Sequence, residues 1–119
     1  MFAVPWRETD FNGTIKKVTG QDFKSLAKYI DVFSPMVYHK MCGQPTKWIH
    51  EIVGYMDKLT GKPILPIIQT EDKPEEISGK EFKEGVNRAI RKPSQGAIIF
   101  FLEDLLKDKS KVEVVKEIF

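Results

Sequence analysis

One cysteine, two histidines and the lack of any long apolar run narrow what this 119-residue chain can be. The lone Cys42 cannot form an intrachain disulfide and cannot build a structural zinc site. His39 and His50 do not stand at metal-ligand spacing, so neither a metal nor a cofactor is expected. No apolar stretch approaches the roughly 20 residues that cross a bilayer, which argues against a membrane partner. Met1–Asp10 has no basic lead-in followed by a long apolar segment, so no signal peptide is read there. The chain is therefore expected to be soluble, either cytoplasmic or part of an exported protein. Charge of one sign is also missing: 19 basic and 17 acidic residues interleave to a net +2. Asp108 breaks the densest basic stretch, Lys107–Lys111. No nucleic-acid footprint results. Glycine-rich turns are absent as well, and a phosphate cradle needs them.

What is present is a period. Four apolar runs, Phe2–Trp6, Val32–Tyr38, Ile64–Ile68 and Ala97–Leu102, start 30, 32 and 33 residues apart. Each ends in polar or charged residues. Helical spacing fills the intervals: Phe23, Leu26, Ala27 and Ile30 form one stripe, and Trp48, Ile49, Ile52, Val53, Met56 and Leu59 a cleaner one. Pro45 is placed to open the second helix and Gly61 to cap it. Ser78 and Glu81 form a capping box before the stripe Phe82, Val86, Ala89 and Ile90, and Val112, Val115, Ile118 and Phe119 mark a last short helix. The order predicts an α/β fold of four consecutive βα units in one domain, residues 1–119. A barrel of eight such units spends about 31 residues on each, so the chain is read as half of a (βα)8 TIM barrel. The alternative is a small open doubly wound parallel sheet. The turn Arg7–Asn12 has no glycine-rich fingerprint to support that alternative.

Sites in parallel α/β folds lie at the C-terminal ends of the strands. This rule selects Arg7, Glu8 and Asp10 after the first run, and Tyr38, His39 and Lys40 after the second; Trp6, at the end of the first run, is a separate candidate for stacking on a sugar. It selects Gln69, Glu71 and Asp72 after the third, and Glu103 with Asp104 after the fourth. Gathered on one rim they would make a polar cup. Tyr38 offers a phenol and a stacking face, His39 a proton carrier, and Glu103 a carboxylate directly after a buried run. Paired carboxylates suit glycoside hydrolysis, where one protonates the leaving oxygen and the other is base or nucleophile. Trp6, Glu8, Asp10, Gln69, Glu71 and Asp72 are the candidate sugar-binding groups. Each also has a plain structural reading as a solvated loop or core residue.

At Asp31-Val-Phe-Ser-Pro-Met-Val-Tyr38 the chain resembles a family of TIM-barrel glycoside hydrolase-like proteins, in which a late strand ends in tyrosine at the catalytic mouth. It is more loosely similar to chitinase-like hydrolases, whose sixth strand ends in Met-x-Tyr-Asp; here His39 stands where that aspartate would be. The resemblance implies that the chain corresponds to strands five to eight. The principal acid would then lie on the fourth strand, in an Asp-x-x-Asp-x-Asp-x-Glu motif that does not occur here. It thus implies a carbohydrate-active barrel part, inactive alone, with Glu103, Tyr38 and His39 nearest the chemistry. The expected partners are carbohydrate, and either a missing N-terminal half barrel or further copies of the chain. A non-catalytic carbohydrate-binding or structural half barrel that completes itself by oligomerisation is the second reading. A nucleotide-binding doubly wound domain is the third.

Overall fold

A computed structural model describes all of residues 1–119. It is an α/β structure with two small parallel sheets and six helices. Strand β1 (Phe2–Ala3) pairs with β2 (Ser34–Pro35), and β3 (Ile67–Gln69) pairs with β4 (Ile98–Phe100), both in parallel. Two parallel bridges, Phe33 to Ile64 and Met36 to Ile67, join the sheets. The helices are α1 (Thr14–Thr19), α2 (Phe23–Leu26), α3 (Lys47–Thr60), α4 (Gly79–Ile90), α5 (Leu102–Lys107) and α6 (Lys109–Ile118).

The apolar runs lie where the period places them, but the paired strands are only two or three residues long. Proline is one physical reason. Pro5, Pro35 and Pro66 lie within the first three runs and cannot donate to a ladder. The second helix begins at Lys47 rather than Pro45. Glu103 and Asp104 lie not in a loop but in the first turn of α5, a helix the apolar spacing did not announce.

Alternation along the strands separates two faces. Ala3, Phe33, Val37, Ile64 and Ile68 are buried and share one core with residues of α2, α3, α4, α5 and α6. Ile67 is also buried yet stands outside that core, because a period of two turns it to the other face. On that second face Met36, Ile67 and Ile98 lie side by side, and Gln69 lies beside Phe100. The helix-covered face is sealed. The other face is covered at its centre, where Ser34, Ile67 and Gln69 are buried, and exposed at its two edges, with Phe2 66% and Phe100 40% exposed.

Close backbone approach fixes how α4 meets α6. A Cβ at Gly79 would stand 2.8 Å from Ser110 Oγ and 2.9 Å from Ser110 Cβ. Ser110 cannot simply swing away, since its hydroxyl donates to Asp108 Oδ1 at 2.7 Å. Gly79→Ala should therefore destabilise the fold by about 1–2 kcal/mol through overpacking. Adding Ser110→Gly should recover most of the loss, measured as midpoints of urea unfolding.

Candidate functional site

The loop after β1 and the loop after β2 enclose a cleft of about 740 Å³ with the first turns of α3. Trp6 is its centre. Its ring meets Phe11 edge-on at 5.0 Å and Trp48 at 5.3 Å, tilted by 53°. Both tryptophans of the chain thus line one cleft. Phe11 is brought there by a turn in which it and Asn12 adopt positive φ. Arg7, Asp10, Gln44 and Glu51 supply polar groups around the rings. Asp10 Oδ2 accepts from the Arg7 backbone N–H at 2.8 Å, and the Arg7 guanidinium lies 3.8 Å from Glu51. Cys42 also lines the cleft, and burial pushes its thiol above the ordinary value of 9.0. It is therefore a protonated, weakly polar wall rather than a nucleophile.

A second cleft of about 630 Å³ lies beyond β3 and β4 and is wholly polar, lined among others by Glu71, Asp72, Lys73, Asp104 and Lys107. Lys111 pairs with two of its lining carboxylates, Asp72 and Asp108. This lysine is 1% exposed, and its ammonium donates to Thr70 O at 2.9 Å and to Asp72 Oδ1 at 2.6 Å. Asp108 Oδ2 stands 3.3 Å away. Burial works to raise the Asp72 carboxyl, yet bonds from Lys111 and the Ile77 N–H leave it below its ordinary 3.8. Hydrogen bonds from Ser110 and Lys111 lower Asp108 likewise.

The expected single cup is thus divided. Trp6 and Asp10 meet in the aromatic cleft, and Glu71 and Asp72 in the polar one. Glu8 turns inward: Oε1 accepts the Phe23 N–H at 3.0 Å, at the start of α2, while its own N–H donates to Tyr55. Tyr38 stacks on Phe100, with centroids 5.9 Å apart and planes 6° from parallel. Burial raises its phenol above 10.0, so it is a neutral donor at physiological pH. Gln69 is 3% exposed. Its amide accepts from Met41 N–H and donates to Glu71 O and Lys73 O, tying the two loops together. His39 is 4% exposed, with Nε2 3.0 Å from Glu81 Oε1. Lys40 reaches the same oxygen at 3.0 Å. Burial opposes ionisation of Glu81, but these two bonds hold its carboxyl below the usual range. The capping box is therefore half made: Ser78 accepts the Glu81 N–H, while the Glu81 carboxylate serves the loop after β2. Glu103 is solvent-exposed at the start of α5, apart from Tyr38 and His39 in the bonds each makes.

Sequence reasoning did not select Phe11, Gln44, Trp48 or Glu51. Trp48 carried a signal, as a large aromatic in the first turn of a helix that follows a strand loop, but its place in an apolar stripe read as core. No group of three or more His, Cys, Asp or Glu is arranged to hold a metal ion, and no helix is long and apolar enough to cross a membrane. Comparison with protein-family models, with curated proteins and with solved structures returned no match.

Proposed function

We propose that the aromatic cleft is a carbohydrate-binding site at the mouth of a glycoside hydrolase-like half barrel. The observation that carries this reading is the convergence of Trp6, Phe11 and Trp48 with Arg7, Asp10, Gln44 and Glu51. A sugar presents apolar C–H faces and a rim of hydroxyls, and this set offers a partner to each. Three features support the half barrel. The parallel links run in chain order from β1 to β4, the helices cover one sheet face, and both clefts lie at strand C-terminal ends. A doubly wound sheet would instead carry helices on both faces. The resemblance at Ser34-Pro-Met-Val-Tyr38 points the same way.

Binding rather than hydrolysis is the activity proposed for this chain alone. Glycoside cleavage takes a carboxylic acid on the leaving oxygen and a second carboxylate across the sugar. In the aromatic cleft Asp10 and Glu51 are both engaged by Arg7, and Glu103 stands elsewhere. Titration calorimetry against oligosaccharides of glucose, xylose and N-acetylglucosamine tests the proposal. The expected result is binding of at least one series without turnover, weakened at least tenfold by Trp6→Ala, about 1.4 kcal/mol. Heatless titrations across the panel would end it.

A further inference from the structure

We propose that a second copy of this chain pairs with the two open sheet edges and completes an eight-stranded ring, bringing Glu103 of the partner subunit to the edge of the aromatic cleft. This rests on the half-barrel reading above and adds its partner. Phe2, Phe100 and Phe101 are 66%, 40% and 42% exposed. At about 200 Å² for each side chain they bare roughly 300 Å². Half-buried Met36 and Ile98 lie on the same face, with buried Ser34, Ile67 and Gln69 among them. An area of that size lies at the lower end of the roughly 300–600 Å² found on ordinary monomers, so the open sheet edges carry the inference.

The sheet edges say what kind of partner fits. β1 and β4 each have one strand neighbour, so two parallel edges remain open at opposite sides of the same face. A two-fold axis running along the strands sets β1 of one copy beside β4 of the other at both seams, in parallel, and the ring closes. The β1 seam is short, because Gln21 Oε1 already accepts the Val4 N–H just past that strand. Charge favours the same pairing. The loop after β1 carries Arg7, 43% exposed, and the first turn of α5, just after β4, carries exposed Glu103 and half-buried Asp104. Both lie at strand C-terminal ends, so closure sets a cation against carboxylates at each seam. The sequential order of the four strands, which separates the rim groups within one chain, unites them across two.

Sedimentation at high micromolar concentration tests the inference. The wild-type chain should run at twice its 13.7 kDa mass. Phe2→Lys should dissociate it, with the circular dichroism of the fold retained since Phe2 is exposed. Arg7→Glu and Glu103→Arg should each weaken association at least tenfold, and the double exchange should restore it. A folded monomer, or a dimer indifferent to all three changes, would overturn the two-fold ring. Oligosaccharide binding by such a monomer would leave the aromatic cleft standing and remove only the closure.

Discussion

Phe33→Ala should lower the unfolding free energy by about 3–5 kcal/mol, a large share of the roughly 5–15 kcal/mol typical of a domain. Phe33 is fully buried and meets Phe23 edge-on at 6.1 Å. It therefore couples the strand face to α2. Its backbone also joins the two sheets: its N–H donates to Pro63 O at 3.0 Å, and its carbonyl accepts from Leu65 at 2.9 Å. Alanine keeps both backbone bonds, so the loss measures packing alone. Tyr29→Ala, at a side chain 82% exposed, is the control and should change stability by less than about 0.5 kcal/mol. Urea midpoints with an unchanged slope would confirm both.

Lys111→Met should cost about 2 kcal/mol and change the shape of acid unfolding. Methionine keeps the buried stem but leaves Thr70 O without its donor, a loss of about 1–3 kcal/mol for a buried acceptor. The ion-pair contribution is smaller than for a sealed pair, because Asp72 and Asp108 are 45% and 30% exposed and water screens them. The sign follows from linkage. Asp72 and Asp108 have folded values below their ordinary 3.8. Their stabilisation is therefore full above the unfolded carboxylate value and is lost as pH falls through the folded one. Wild-type stability should fall below about pH 4. The variant starts lower and should fall less steeply over that window. Urea midpoints from pH 7 down to 2.5 measure the difference, and parallel profiles would contradict it.

Much of the fold was legible in the chain, for local reasons. The stripe Trp48, Ile49, Ile52, Val53 and Met56 is buried along one side of α3, as its spacing required. Ser78 caps α4 as its type and position suggested. Strand length was less legible, because prolines inside the apolar runs stop the ladder without altering hydropathy. Helix α5 escaped because Leu102 and Leu106 remain exposed and leave only Leu105 buried.

Of the candidate site, the sequence order conveyed which residues follow the strands but not which of them share a cleft. The rule that sites follow strand ends selected Arg7 and Asp10, which line the aromatic cleft, and Glu71 and Asp72, which line the polar one. It could not tell a carboxylate facing a cleft from one capping a neighbour, as Glu8 does for α2. Nor could it foresee that Gln69 spends its amide on three backbone groups, or that His39 is drawn to Glu81 across 42 positions of sequence. Such partners come from tertiary packing, which spacing along one chain does not encode.

The central claim is that the cleft between Trp6 and Trp48 binds sugar. These are the chain's two tryptophans, so their indole N–H signals report on that cleft alone. An NMR titration with the oligosaccharide series should shift both signals saturably, with backbone shifts at Arg7, Asp10 and Gln44. Both indole signals unmoved at saturating sugar, or shifts confined to Glu71–Lys73 and Lys107–Ser110, would contradict the account.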